Sequence, residues 1–132
     1  NGGYIIQPHV GLSVGASSSS RRLVDVQPAT STIAVSEVIN VVRQGMRENV
    51  IYGSGRAVSD LPVMVAGKTG TAQWRSDRPN HAWFTAFAPY ENPQIVVTVV
   101  LEEGNEGSSV AVRVAKEVLR AWLTTGVSLG TL

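Results

Sequence analysis

No cysteine occurs among the 132 residues, so the fold cannot rest on disulfides or on a thiolate metal centre. The compartment stays open, because proteins on either side of a membrane can do without cysteine. Histidine is nearly absent too: His9 and His81 lie too far apart in sequence to give metal-ligand spacing, and neither a metal nor a cofactor is expected. Charged residues make up only 16%, 11 basic against 10 acidic, with no run of one sign. That balance excludes the electrostatic footprint of a nucleic-acid binder. The longest apolar run, Ile95 to Leu101, falls far short of the roughly 20 residues that cross a bilayer as a helix. Residues 1–10 show no basic region followed by an apolar stretch. No membrane segment is expected in this chain.

What is present suffices for one hydrophobic core. With 43% hydrophobic residues, residues 1–132 are expected to form a single domain or part of one. Alternation at Val10, Leu12 and Val14 predicts a short strand, and Arg21 to Val26 a second, returning from the polar loop Gly15 to Ser20. From Thr32, the apolar positions Val35, Val38, Ile39, Val42 and Met46 make one stripe of a helix over 32–48, with Thr30 or Ser31 as N-cap. Tyr52 to Asp60, holding Gly53 and Gly55, reads as a loop.

Strands follow at 63–72, 83–88 and 94–101, joined by Trp74 to Pro79 and by the turn-forming Pro89-Tyr90-Glu91-Asn92-Pro93. Connections this short imply an antiparallel meander. The run from Ile95 is apolar on both faces and so calls for cover on both, or for packing against something outside this chain. Ser108 is placed to cap a last helix ending near Thr125, whose apolar stripe is Ala111, Val114, Ala115, Val118 and Trp122. Its Val118 and Trp122 face is expected to lie on the sheet, and residues 127–132 read as a frayed terminus. The fold class is α+β: an antiparallel sheet with the C-terminal helix packed on one face.

The chemistry concentrates in Lys68-Thr69-Gly70-Thr71 at the end of a strand. There an ammonium, two hydroxyls and unpaired backbone groups come together, with Gly70 removing a side chain where another backbone must approach. This suits an extended ligand ending in a carboxylate, which Lys68 would meet as a point charge while the strand edge pairs with the ligand main chain. Taken alone, the same four residues also describe an ordinary edge strand with a solvated lysine.

Context separates the two. Asn1-Gly2-Gly3 with Gln7-Pro8, Val42-Arg43-Gln44-Gly45-Met46, Ala66-Gly67-Lys68-Thr69-Gly70-Thr71-Ala72-Gln73, His81-Ala82-Trp83-Phe84 and Phe87-Ala88-Pro89 occur in this order. The ordered set resembles the penicillin-binding protein transpeptidases, especially the high-molecular-weight class B type, over nearly the whole chain. The Lys-Thr-Gly triplet alone is shared with the serine β-lactamases.

The resemblance implies an incomplete portion of the serine β-lactamase/penicillin-binding transpeptidase fold, and a parent protein at the outer face of the cytoplasmic membrane. It implies that Lys68 binds the carboxylate of a D-Ala-D-Ala stem peptide or of a β-lactam, with hydrogen bonds from Thr69 and Thr71. The backbone N–H of Thr71 would be half of an oxyanion hole. That family also needs a Ser-x-x-Lys nucleophile pair and a Ser-x-Asn motif. Neither occurs here: the two lysines, Lys68 and Lys116, follow Val65 and Arg113 by three positions, and no serine has asparagine two positions later. The family places both motifs upstream of its Asn-Gly-Gly segment, so the chain is expected to be a C-terminal part of the domain, inactive by itself. It is expected to self-associate through an open edge at 94–101. A serine β-lactamase or β-lactam sensor as parent, and a noncatalytic module binding peptide termini, are the alternatives.

Other residues carry plainer readings. His81 could act as a base near Lys68, but a structural role is the expectation. Trp83, Phe84 and Phe87 are assigned mainly to packing, with Trp83 near the cleft. Trp74, Arg75, Arg78 and Arg56 read as solvated, and Ser17 to Ser20 as a turn with no base to activate it.

Overall fold

The computed structural model describes residues 5–8, 13–14, 22–23, 35–105 and 110–125. The chain divides into two units, Asn1–Val41 and Val42–Leu132. In the first, β1 (Ser13–Val14) pairs antiparallel with β2 (Arg22–Leu23), Ser13 opposite Leu23. The remainder of the two strands expected there lies outside the described residues, as do the N-caps expected at Thr30 or Ser31 and at Ser108.

The second unit holds a three-stranded antiparallel sheet in the order β3-β4-β5: Ala66–Ala72, His81–Ala88 and Ile95–Leu101. This is the meander that the short connections imply. The first strand begins at Ala66, not at 63, because β4 ends at Ala88 and pairing starts at Ala66 opposite Phe87. Before that point the Val65 carbonyl is taken by the Arg47 side chain. β4 in turn begins two residues earlier than expected, at His81 opposite Ala72.

One face of the sheet carries the core. Phe84, with Ala82, Ala86 and Ala88 of β4 and Val97 and Val99 of β5, is buried together with Val50, Val58, Leu61 and Val65. Helix α2 (Ala111–Thr125) covers this face, contributing Ala111, Val112, Ala115 and Leu119. Alanines on both elements leave room for the helix to lie close, and burying the larger aliphatic side chains contributes about 1.5–3 kcal/mol each. β5 accordingly alternates, with Val97 and Val99 buried while Val96 and Val100 on the other face are exposed.

The expected stripe of α2 needs correction. Val114 and Val118 are exposed, 40% and 44%, and only Trp122 of the outer pair is half-buried. The helix carries two adjacent apolar stripes, and the one through Val112, Ala115 and Leu119 is the one buried against the sheet.

Helix α1 spans Ser36–Ile51, three residues further at its C-terminal end than expected, and Val35 stands before it. Its expected stripe is also displaced: Val35, Val38 and Val42 are exposed, while Val50 is fully buried. Arg43 and Arg47 occupy half-buried positions two turns and one turn before Val50. Arg43 donates to the Tyr90 carbonyl and lies over the Phe87 and Tyr90 rings, and Arg47 donates to Val65 O at 2.8 Å. The aliphatic stems pack while the guanidinium groups satisfy carbonyls that the sheet leaves unpaired.

Candidate functional site: the open edge of β3

Backbone polarity along β3 is fixed by its partners. In an antiparallel strand the N–H and C=O of one residue point to the same side, alternating from residue to residue. Met64 O accepts from Tyr90 N–H on the β4 side. The carbonyls of Val65, Gly67 and Thr69 accept instead from Arg47, from Asn49 Nδ2 at 2.9 Å and from Lys68 Nζ at 2.9 Å. Odd-numbered residues therefore turn their main-chain groups toward the open edge. Thr71 is the next in that series, and its N–H and C=O face outward beyond the last contact from α1.

Side chains alternate as well. Lys68 lies in a cross-strand row with Thr85 and Thr98, whose hydroxyls are 3.2 Å apart, on the face opposite α2. It is exposed, folded back onto Thr69 O, and has no ion-pair partner among the described residues. Gly70 stands opposite Trp83, and a Cβ there would come within 3.3 Å of Trp83 Cβ, so a side chain at 70 would cover the partly exposed indole. Thr69 and Thr71 project to the other face; Thr71 is exposed, and the Thr69 hydroxyl lies 2.6 Å from Ser54 Oγ.

The loop after β3 is stapled to the hairpin. Trp74 stacks on His81 at 5.2 Å between centroids and donates from Nε1 to Pro79 O. Arg75 sits over the Trp74 ring and forks onto both Asp77 oxygens, and Arg78 pairs with Glu103. His81 Nδ1 accepts the Glu103 N–H at 3.1 Å. Its place opposite Ala72, four residues along β4 from Thr85, sets it ~13 Å from the Lys68 row. His81 thus belongs to the hairpin's internal bonding.

Residues that sequence reasoning missed are Arg47, Asn49 and Ser54, which hold the inner half of the β3 edge. The pair Gly53 and Gly55 was the available signal. Both N–H groups donate to Asn49 O, and a Cβ at either would stand under 3 Å from the Asn49 side chain.

An antiparallel meander backed by a C-terminal helix, with an edge strand ending in Lys-Thr-Gly-Thr, defines the transpeptidase/β-lactamase class of fold. Residues 1–120 match the penicillin binding protein transpeptidase domain, and the chain belongs to that family.

Among its relatives, the peptidoglycan D,D-transpeptidase MrdA of Haemophilus influenzae is 44% identical over 90 residues, which cover 57% of this chain and 14% of that protein. The peptidoglycan D,D-transpeptidase PbpA of Mycolicibacterium smegmatis is 36% identical over 72 residues, 48% of this chain and 15% of that protein. Of solved structures, the D,D-transpeptidase domain of a peptidoglycan glycosyltransferase from Eggerthella lenta superposes with a TM-score of 0.77 at 33% identity, over 96% of this chain and 30% of that one. Penicillin-binding protein A of M. tuberculosis, as its ceftriaxone acyl-enzyme complex, gives 0.75 at 26% identity, over 92% and 29%. The chain thus spans a small part of each relative it matches.

Proposed function

We propose that this chain supplies the Lys-Thr-Gly-Thr wall of a peptidoglycan D,D-transpeptidase active site, with Lys68, Thr69, Gly70 and Thr71 facing the ligand. The observation that supports it most is the outward-turned main chain at Thr71 beside an exposed Lys68 lacking an ion-pair partner among the described residues. A stem peptide ending in D-Ala-D-Ala pairs along this edge as an added strand, its terminal carboxylate met by the Lys68 ammonium. A serine from outside these 132 residues attacks the penultimate carbonyl. The developing oxyanion is stabilised by the Thr71 N–H and by the N–H of that serine. Collapse expels D-alanine and leaves an acyl-serine, and an amine of a second stem peptide takes the acyl group to form the cross-link. A β-lactam follows the same first step and stays attached.

The whole protein acts in the cell envelope, at the outer face of the cytoplasmic membrane. By itself the chain is inert, because it holds no Ser-x-x-Lys. Its β5 edge, with Val96 and Val100 exposed beside it, associates with a second copy when no neighbouring strand covers it.

Fluorescent penicillin tests this reading. The full-length protein is expected to form a labelled band that survives denaturation, about tenfold or more slower to appear in Lys68→Ala, as for loss of a charge-assisted hydrogen bond. No label is expected on the 132-residue chain. An unlabelled full-length protein would overturn the transpeptidase assignment, and a labelled chain would overturn its inertness.

A further inference from the structure

The chain leaving β3 turns back toward β4. The Trp74 ring stacks on His81 at 5.2 Å between centroids, and its Nε1 donates to Pro79 O. His81 carries a second tie, because its Nδ1 lies 3.1 Å from the N–H of Glu103, in the turn after β5. A main-chain N–H can only donate, so Nδ1 holds a lone pair and the ring is neutral, with its proton on Nε2. One imidazole therefore joins the β3–β4 connection to the β5–α2 turn.

That turn has a conformation glycine usually takes. Gly104 N–H donates to Leu101 O at 3.3 Å, and Glu103, third of these four residues, has φ 54 in the left-handed region. Such backbone persists where its surroundings hold it. Asn105 N–H donates to Asn80 O at 2.9 Å, Arg78 pairs with Glu103, and a Cβ at Gly104 would stand 3.0 Å from Ala82 Cβ. Of these ties, the one through His81 rests on a side chain of the type that titrates near neutral pH.

The charged groups on the segments packed against His81 are Arg75, Asp77 and Arg78 from the connection and Glu102 and Glu103 from the turn. Arg75 is bound to Asp77, and Arg78 to Glu103. The Arg75 hydrogen bond holds the Asp77 carboxyl below its ordinary value of 3.8, so that pair stays ionised where imidazoles titrate. A protonated Nδ1 would face the Glu103 N–H donor to donor. The tie is whole while the ring is neutral and is lost as pH falls through the range in which imidazoles take up a proton.

We propose that neutral His81 is a positioning residue, a latch that keeps the chain leaving β3 drawn over β4 and clear of the ligand edge beside Thr71, and that protonation releases it. This rests on the reading of the β3 edge as a transpeptidase ligand wall.

The test compares the full-length wild type with His81→Asn, whose side-chain oxygen accepts without titrating, and His81→Phe, which keeps a ring for Trp74 and deletes the acceptor. Hydrogen exchange read by mass spectrometry, corrected for the intrinsic effect of pH, reports the latch without any reaction. Peptides spanning residues 73–81 and 102–105 are expected to lose protection in the wild type between about pH 7.5 and pH 5.5, to keep it in His81→Asn, and to lack it throughout in His81→Phe. Benzylpenicillin acylation reports the ligand edge, and dividing each rate constant by the wild type's at the same pH removes limbs common to all three. His81→Asn over wild type is expected to rise about threefold toward pH 5.5, while His81→Phe starts about threefold low and converges on the wild type. Exchange independent of pH in the wild type, or equally pH-dependent in His81→Asn, overturns the latch. Exchange as expected with flat acylation ratios overturns its positioning role, and a wild type never acylated at any pH overturns the ligand-wall reading instead.

Discussion

Gly67→Ala isolates the packing that sets the position of the Lys-Thr-Gly-Thr strand. A Cβ at residue 67 would stand 2.6 Å from Phe84 Cζ, 2.9 Å from Cε2 and 3.0 Å from the Thr85 carbonyl oxygen. Phe84 is fully buried, so its ring has no space to retreat into, and Thr85 is held between β3 and β5 by pairing on both sides. The strand cannot move outward freely either, because Asn49 Nδ2 already stands 2.9 Å from Gly67 O on that side. Two effects oppose each other. Gly67 does not occupy the left-handed region, so alanine restricts the unfolded chain and stabilises by about 0.4–1 kcal/mol. Overpacking costs about 1–3 kcal/mol, near the upper end where neighbours are fixed. The clash wins, leaving a net loss of about 2 kcal/mol, read as a lower urea midpoint at unchanged slope. Phe84→Leu removes the two colliding ring atoms, so the double variant should be more stable than the sum of the singles by about 1–2 kcal/mol. Wild-type stability for Gly67→Ala, or strict additivity with Phe84→Leu, would refute this account of the strand.

Two further outcomes are expected. Lys116 Nζ donates to Asp60 Oδ2 at 2.7 Å, and that hydrogen bond holds the Asp60 carboxyl below its ordinary value of 3.8. With the folded-state pKa depressed, the pair's contribution is present above the unfolded value and is lost as pH falls through the folded one, in the window below about pH 4. Lys116→Met should raise the Asp60 midpoint in a carboxyl NMR titration, and an unchanged midpoint would show that the pair is not formed in solution. Light scattering of the 132-residue chain at high concentration should give a mass above the monomer, which Val96→Lys with Val100→Lys returns to the monomer by placing charge beside the β5 edge. A wild-type chain that stays monomeric would end the proposal of edge-to-edge association.

Periodicity made much of the architecture legible. Apolar runs bounded by turn residues, with short connections between them, gave the meander, because a connection this short can only reverse direction. The helices at 36–51 and 111–125 followed from a 3.6-residue repeat. What periodicity could not choose was the face. In α2 two apolar stripes lie side by side, and only the packed sheet decided that Leu119 is buried while Val118 is exposed. In α1 the inward positions went to arginines, because open carbonyls at Val65 and Tyr90 needed donors more than the sheet edge needed valines.

Amino-acid order by itself determined that this is a Lys-Thr-Gly-Thr strand chain of the penicillin-binding transpeptidase family and that no Ser-x-x-Lys lies within it, since both depend only on which residues follow which. Tertiary structure alone decided which main-chain groups of that strand face outward and which of its polar groups already have partners. Those properties are set by partners 15 to 18 residues away, Ser54 for Thr69, Asn49 for Gly67 and Arg47 for Val65. A hydrogen bond's direction is fixed by what lies at its other end, and only the folded chain brings that end into place.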